Sequence, residues 1–190
     1  MRFSRTGMTK LWLIEPLAQR DDRGFFARTF CEQEYTARGL ETRFVQHSIS
    51  YSRLRGTVRG LHFQRLPHAE TKVVTCYKGT IWDVIVDLRH DSVTYGQWTS
   101  FILSGENRRS LYIPKGCAHG FQTLSDHVEV SYLISEFYAP DAAAGLRYDD
   151  PALGIDWPLA PTMISKKDQD WPIFIPEKTP VIDSDISASR

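Results

Sequence analysis

The sequence lacks the features that mark several large classes of proteins. Lys plus Arg and Asp plus Glu number 23 each, so the formal net charge at pH 7 is zero. No excess of one sign therefore favours nucleic acid or an anionic membrane surface as a partner. No apolar run approaches the roughly 20 residues of a membrane-spanning helix. The first residues are followed by no long apolar stretch and no small-residue cleavage site, so we expect no signal peptide.

Cysteine is also scarce. The three cysteines, Cys31, Cys76 and Cys117, have no CxxC spacing. This argues against a disulfide framework and a cysteine zinc site, and it favours the reducing cytoplasm. A glycine-rich phosphate loop of either common kind is absent as well. The remaining composition, 42% hydrophobic and 24% charged over 190 residues, predicts a single domain over 1–190, with an N-terminal arm (about 1–20) and a C-terminal wrapping tail (about 140–190).

Apolar residues recur mainly with period two, which predicts β-strands. Between residues 71 and 88, two strands joined by a tight turn at Lys78-Gly79 explain the pattern best, with Trp82, Val84, Val86 and Leu88 on one face of the second strand. Turn residues recur about every ten positions, as is typical of an antiparallel sandwich or barrel. Further strands are predicted over Gln97–Ser104, Ser110–Ile113, Gly120–Leu124 and Val128–Tyr138.

Helix is predicted at few places. Cys31–Arg38 has the length of two helical turns, and Gly39 is a suitable residue to end it. From Pro140 onward the chain is rich in Pro, Asp and Gly, so we expect loops and short helices that wrap the barrel. Ser184–Arg190 is predicted to be a frayed tail.

The stretch Arg59–Gln64, followed by Lys72, carries the most chemistry. On a strand, Arg59 and His62 would point to opposite faces unless Gly60 introduces a bulge. A neutral imidazole is well matched to taking a proton at neutral pH, and an ammonium can stabilise an oxyanion that develops on a substrate. Spacing alone equally allows a hydrogen-bonded core histidine and a solvated lysine.

A second stretch runs from Pro114 to Phe121, and its PxGxxH pattern resembles a motif of the cupin superfamily. In many cupins this histidine, here His119, binds a metal with about three further N or O ligands. Here the triplet His68-Ala69-Glu70 offers only a partial ligand set, and Lys72 would place a cation beside it. We therefore predict no metal.

Two further residues are candidates for proton transfer. If Tyr132 faces the barrel interior, Ile134, Glu136 and Tyr138 do so too, because side chains alternate along a strand. A phenol on a pocket wall can donate a proton to a carbanion, although an aromatic at the edge of a core fits the pattern equally well. Asp168 could orient a histidine, as carboxylates do in catalytic dyads; alone it is a loop aspartate.

Together, a series of ordered motifs between about Asp21 and Trp171 resembles the dTDP-4-dehydrorhamnose 3,5-epimerase family. The resemblance implies a mainly β fold, a cupin-like antiparallel β-barrel (jelly roll) with a few short helices. The motifs are Asp22-Arg23-Gly24-Phe25-Phe26, Phe44-Val45-Gln46, Arg59-Gly60-Leu61-His62-Phe63-Gln64, Ser92-x-Thr94-Tyr95-Gly96-x-Trp98, Leu103-Ser104-x-Glu106-Asn107, Pro114-x-Gly116-x-Ala118-His119-Gly120-Phe121, Tyr138-x-Pro140 and Gly154-Ile155-x-Trp157-Pro158.

The same resemblance implies roles for particular residues. His62 matches the proton acceptor, Tyr132 the proton donor, Asp168 the carboxylate paired with the histidine, and Lys72 the group facing the keto oxygen. Family members use no metal or organic cofactor and are usually homodimers whose N-terminal strands exchange. The implied substrate-binding positions are Arg23, Phe26, Arg28, Gln46, Ser48, Arg59, His119, Tyr138 and Lys167, and the sequence departs from the family's pattern at Arg28, at His47-Ser48 and at Ala143.

The implied reaction suits these residue types. A C4 ketone acidifies the protons on C3 and C5, so inversion needs a base on one face, an acid on the other and a cation at the oxygen. The favoured function is 3,5-epimerisation of dTDP-4-dehydro-6-deoxy-D-glucose to dTDP-4-dehydro-L-rhamnose. The alternatives are a single-site epimerase or a ketoisomerase acting on a related dTDP-, CDP- or GDP-linked 4-keto sugar, a non-catalytic sugar-nucleotide-binding cupin, and a metal-dependent cupin oxygenase.

Overall fold

The computed structural model describes residues 1–176, and β-strands dominate this part of the chain. No helix in it is long and apolar enough to cross a membrane. The strands are β1 (Arg2–Arg5), β2 (Trp12–Glu15), β3 (Ala18–Asp21), β4 (Gly24–Ala27), β5 (Gln46–Ser52), β6 (Val58–Gln64), β7 (Lys72–Lys78), β8 (Thr80–Asp87), β9 (Trp98–Ser104), β10 (Ser110–Ile113), β11 (Cys117–Thr123), β12 (Val128–Ile134) and β13 (Ala143–Gly145), and the helices are α1 (Glu32–Thr36) and α2 (Lys166–Gln169).

The strands form two main sheets and one separate hairpin. The six-stranded sheet has the order β1-β2-β10-β7-β12-β5, and the five-stranded sheet has the order β13-β6-β11-β8-β9. Each neighbouring pair in them is antiparallel. Within residues 1–176, strands β3 and β4 pair only with each other. The predicted antiparallel barrel with a few short helices is confirmed.

Several local predictions are confirmed as well. Strand β10 has the predicted bounds, β9 begins one residue after the predicted start, and α1 lies inside the predicted helix. Gly39 follows that helix with a φ of +65°, a backbone conformation that glycine adopts without steric cost. Residues 140–176 contain only β13, α2 and loops. The predicted tail at 184–190 lies outside the described residues.

The turn at Lys78-Gly79 is confirmed, but the strands on either side of it do not pair. Strand β7 lies between β10 and β12, whereas β8 lies between β11 and β9 in the other sheet. The turn is therefore a corner between sheets. Gly79 has a φ of +76° and a Cβ there would lie 2.8 Å from Val128 Cγ2, so the corner requires glycine.

Strand β12 is shorter than predicted and β11 is longer. β12 ends at Ile134 rather than Tyr138, because side chains replace the strand ladder beyond it: the backbone N–H groups of Tyr138 and Ala139 donate to Gln46 and Gln64. β11 begins at Cys117, before the predicted Gly120.

Apolar side chains fill only part of the space between the sheets. One buried cluster, which includes Val74, Ile85 and Phe121, packs there. A second covers the outer face of the five-stranded sheet, where Trp82 meets Trp157 from the C-terminal segment, with ring centroids 5.3 Å apart. Apolar packing therefore covers the outer face of the five-stranded sheet, while part of the space between the two sheets remains open as a cavity.

Candidate active site

A cavity of about 690 Å³ opens between the two sheets. All four predicted catalytic residues line it. So do six of the predicted binding residues; together the ten are His62, Lys72, Tyr132, Asp168, Gln46, Ser48, Arg59, His119, Tyr138 and Lys167. Residues that are scattered over more than 120 positions of the sequence are therefore brought to one pocket.

Three predicted binding residues do not reach this cavity. Arg23 and Phe26 lie on the β3–β4 hairpin, and Arg28 follows it; all three are exposed. Arg23 pairs with Asp21 of the same hairpin at 2.6 Å. Within one chain, the hairpin and the cavity are separate features.

The predicted bulge in β6 is present and turns Arg59 and His62 to the same side. His62 pairs with His119 and Arg59 with Phe121, so two residues of β6 lie opposite the single Gly120. Gly60 has a φ of +122°, and a Cβ there would lie 2.5 Å from Gly120 Cα. Two glycines are thus needed for the strands to approach at the point where the histidine enters the cavity.

His62 forms a short contact with Asp168. His62 Nε2 lies 2.6 Å from Asp168 Oδ1, and the His62 side chain is 44% exposed whereas that of Asp168 is 6% exposed. With Nε2–H donating to the carboxylate, Nδ1 keeps its lone pair. The imidazole is therefore open to a ligand, while the carboxylate behind it is shielded from water.

Helix α2 positions Asp168. Ser165 caps this one-turn helix, and its Oγ accepts a hydrogen bond from the Asp168 backbone N–H. The Gly60 backbone N–H donates to Asp168 Oδ2 at 3.3 Å. Burial opposes ionisation, but the hydrogen bond and charge of His62, aided by Gly60 and Ser165, outweigh it and lower the pKa of Asp168. Asp168 is thus an anion at neutral pH.

Lys72 and Tyr132 lie on adjacent strands of the six-stranded sheet. Lys72 Nζ is 2.8 Å from Glu70 Oε1 and 3.4 Å from the His62 carbonyl oxygen. The Tyr132 hydroxyl is 3.1 Å from Ser50 Oγ. Burial raises the pKa of Tyr132 to about 12, although the Ser50 hydrogen bond opposes the shift. The phenol therefore carries its proton across the neutral range.

A second histidine–carboxylate pair is buried on β11 and β8, the two strands next to β6 in the five-stranded sheet. His119 Nε2 lies 2.8 Å from Asp83 Oδ2, and neither side chain is more than 5% exposed. Burial raises the pKa of Asp83, against the opposing charges of His119 and Lys72. Sequence analysis missed Asp83. Its signal was a charged residue between Ile81 and Ile85, on the strand face opposite Trp82.

Two other expectations about the cavity have different outcomes. Ile134 and Tyr138 line it with Tyr132, as predicted. The prediction for Glu136 was wrong: the strand ends before this residue, which is absent from the cavity wall and lies 4.0 Å from His68.

Within residues 1–176, no three His, Cys, Asp or Glu side chains converge as a metal site requires.

Comparisons with known proteins give consistent results. A sequence model of the dTDP-4-dehydrorhamnose 3,5-epimerase family matches residues 5–175. The dTDP-4-dehydrorhamnose 3,5-epimerase of Methanothermobacter thermautotrophicus is 48% identical over 173 residues, 90% of this chain and 92% of that protein.

Two solved structures have the same fold. The dTDP-4-dehydrorhamnose 3,5-epimerase of Bacillus anthracis, with TDP and pyrophosphate bound, aligns with a TM-score of 0.89 and 43% identity over 91% of this chain and 99% of that one. The dTDP-6-deoxy-D-glucose-3,5-epimerase of Legionella pneumophila, in complex with dTDP-4-keto-L-rhamnose, aligns with a TM-score of 0.88 and 38% identity over 96% and 99%.

Proposed function

The chain belongs to the dTDP-4-dehydrorhamnose 3,5-epimerase family, and on this premise we propose that it converts dTDP-4-dehydro-6-deoxy-D-glucose into dTDP-4-dehydro-L-rhamnose. It is an isomerase that inverts the two carbons beside the C4 ketone. The Legionella relative, whose structure contains dTDP-4-keto-L-rhamnose, supports this choice of product.

One observation carries the proposal: a base and an acid enter the same cavity from opposite sheets. His62 belongs to β6 of the five-stranded sheet and Tyr132 to β12 of the six-stranded sheet. Inversion requires that a proton leaves one face of the sugar and another arrives on the opposite face. A ring held between the two sheets meets both requirements.

In the proposed reaction, His62 Nδ1 takes the proton from C3 or C5. The electrons of that C–H bond form a double bond to C4, and the π electrons of the C4 carbonyl move onto its oxygen, which becomes an enolate oxygen. The Lys72 ammonium stabilises this negative charge. Tyr132 then delivers its proton to the opposite face of the carbon and the ketone re-forms. The phenolate regains a proton from solvent, and the His62 imidazolium releases the abstracted proton to solvent. Asp168 stabilises the imidazolium formed in the first step.

The cationic side of the cavity suits a diphosphate. Arg59 is held in place because its Nε donates to Ser52 Oγ at 3.0 Å and its guanidinium also donates to the Tyr51 carbonyl oxygen at 2.9 Å. Lys167 Nζ lies 5.2 Å from the Trp171 ring centroid. We assign these two cations, with Gln46, to the pyrophosphate and nucleotide side of the substrate.

A second copy of the chain would complete the site. The β3–β4 hairpin, which carries Arg23 and Phe26 and is followed by Arg28, has no partner strand within residues 1–176. Phe26 is 69% exposed. Strands β1 and β2 are already bonded into the chain's own sheet through β10. We therefore propose a homodimer in which the exchanged segment is the β3–β4 hairpin, which reaches the nucleotide end of the partner's cavity.

Incubation with dTDP-4-keto-6-deoxyglucose in D2O tests the proposed function. Deuterium should appear at both C3 and C5, and NMR should identify the L-rhamno product. His62→Ala should incorporate no label at either carbon. Label at only one carbon would identify a single-site epimerase, and an unlabelled substrate with wild-type enzyme would contradict the function.

A further inference from the structure

A carboxylate that these proton transfers do not use lies beside Lys72. Glu70 lines the cavity two residues before Lys72, and its Oε1 atom is 2.8 Å from the ammonium. Only 10% of the Glu70 side chain and 12% of the Lys72 side chain are exposed. This is therefore an enclosed ion pair in the cavity wall, unlike the surface pairs that contribute little.

The contacts of the ammonium leave one donor for a ligand. An ammonium has three N–H donors and no acceptor. One donor is taken by Glu70, and a second is directed at the His62 carbonyl oxygen at 3.4 Å. Because the carbonyl belongs to the residue that carries the base, this arrangement ties the position of the cation to that of His62.

A second buried carboxylate lies within range of the charge of Lys72. The charge of Lys72 acts on Asp83, and Asp83 Oδ1 has no hydrogen-bond partner among the described residues. A lysine side chain is long and has many rotamers. Without Glu70, the ammonium would be free to turn towards Asp83 and away from the substrate.

We propose that Glu70 is a positioning residue for the epimerisation: its carboxylate oxygen accepts a hydrogen bond from Lys72 and holds the remaining ammonium donor towards the C4 oxygen. The inference rests on the proposed function, because the role of Lys72 at the ketone is part of it. Glu70, part of the triplet His68-Ala69-Glu70 that offers a partial metal-ligand set in the sequence, therefore has a role that involves no metal. A cation fixed before the reaction needs no reorganisation when the enolate forms.

A double-mutant cycle tests the proposal. Glu70→Ala should lower kcat by about tenfold or more and change KM by less than about threefold, because a displaced catalytic group costs rate. Glu70→Gln keeps an oxygen acceptor and should stay within about threefold of wild type in kcat. In a Lys72→Met background, Glu70→Ala should change kcat by less than about twofold, because the group that Glu70 positions is gone.

The exposed pair Lys78–Glu129, 4.0 Å apart on the same sheet, supplies the control, and Glu129→Ala should leave kcat unchanged. Equal losses from Glu70→Ala in both backgrounds, or a Glu70→Gln variant as slow as Glu70→Ala, would overturn the positioning role.

A second measurement requires no turnover. In protein labelled with ¹⁵N-lysine, the Lys72 ammonium signal can be assigned by its loss in Lys72→Met. We expect a slowly exchanging signal in wild type and Glu70→Gln, and its loss in folded Glu70→Ala; persistence there would overturn the inference. Wild-type protein inactive on the 4-keto sugar would contradict the proposed function, and this signal would still decide whether Glu70 holds Lys72.

Discussion

His62 and Asp168 are 106 residues apart in the chain, yet their Nε2 and Oδ1 atoms are 2.6 Å apart in the structure. The bulge at Gly60 positions the histidine, because it turns His62 to the cavity side of β6. The Gly60 backbone N–H also donates to the Asp168 carboxylate. The Ser165 cap positions the carboxylate, because its Oγ accepts a hydrogen bond from the Asp168 backbone N–H. The dyad thus depends on two local backbone features that have no chemistry of their own.

We predict that Asp168→Asn lowers kcat by more than about tenfold, because an amide neither stabilises the imidazolium nor fixes the same tautomer. Affinity for dTDP, measured by calorimetry, should stay within about twofold, because the proposed role of Asp168 is at the sugar, through His62, and not at the nucleotide. Asp170→Asn, at an exposed position after the same helix, is the matched control and should resemble wild type. Wild-type turnover in Asp168→Asn would reduce Asp168 to a loop carboxylate.

Asp87 should affect stability rather than chemistry. Its carboxylate binds Arg89 at 2.6 Å, with both side chains at most 3% exposed, and also accepts from Ser92 and Thr94. We predict that Asp87→Asn lowers the free energy of unfolding at pH 7 by about 3–5 kcal/mol, because it removes the negative charge that pairs directly with a buried guanidinium. Urea titrations measure this.

The exposed pair Arg147–Asp149 is the control, because its residues have the same sequence spacing as Asp87 and Arg89 and a similar distance, 2.7 Å. Asp149→Asn should lower the free energy of unfolding by less than about 1 kcal/mol. Equal losses at the two sites would show that burial is not the deciding factor.

The Asp87 contribution should also depend on pH in one direction. Burial opposes ionisation, but the hydrogen bonds from Arg89, Ser92 and Thr94 outweigh it and lower the pKa of Asp87 below 3.8. The stabilisation is therefore complete above pH 3.8 and is lost as the pH falls through the lower folded-state pKa. The gap between wild type and Asp87→Asn should narrow in that acidic window. A gap that is constant down to full protonation would contradict the assignment.

Local patterns predicted the strands better than their partners. Alternation placed β7 and β8 on either side of Gly79, but it could not show that they belong to different sheets, because pairing depends on contacts distant in sequence. Residue chemistry marked His62 and Lys72 as candidates, whereas the pairing of Asp168 with His62 came only from the family resemblance. Asp83 was missed because a strand pattern does not show which side of the strand faces a cavity.

Mixed dimers test the proposed hairpin exchange. Chains with Arg23→Ala and Phe26→Ala should bind substrate weakly, and chains with His62→Ala should be inactive. In a mixed dimer, the cavity that retains His62 receives an intact hairpin from its partner. Co-expression should therefore restore kcat/KM to about one quarter of wild type, since half the dimers are mixed and one site in two is complete. Activity no greater than the sum of the two parents would show that each hairpin serves its own chain, or none.

Tyr132→Phe separates proton removal from proton delivery. The substitution keeps the ring that packs against His119, with centroids 6.3 Å apart, but it deletes the proton that burial, by raising the pKa of Tyr132 to about 12, keeps on the oxygen. His62 should still form the enolate and return a solvent deuteron to the original face. We therefore expect deuterium exchange at C3 or C5 to continue while inverted product falls by about 100-fold or more, the usual contribution of a general acid.

The measurement is NMR of the sugar in D2O, with Tyr138→Phe as the matched control. Tyr138 also lines the cavity, but the residue is 59% exposed. It does not lie on the strand wall opposite His62, because β12 ends at Ile134. Its hydroxyl should therefore be dispensable for inversion. If Tyr132→Phe inverts the sugar at the wild-type rate, the proton must come from another donor, and loss of inversion in Tyr138→Phe would identify Tyr138. If exchange and inversion stop together in Tyr132→Phe, the phenol is needed to form the enolate itself, and the separation of base and acid onto the two sheets is wrong.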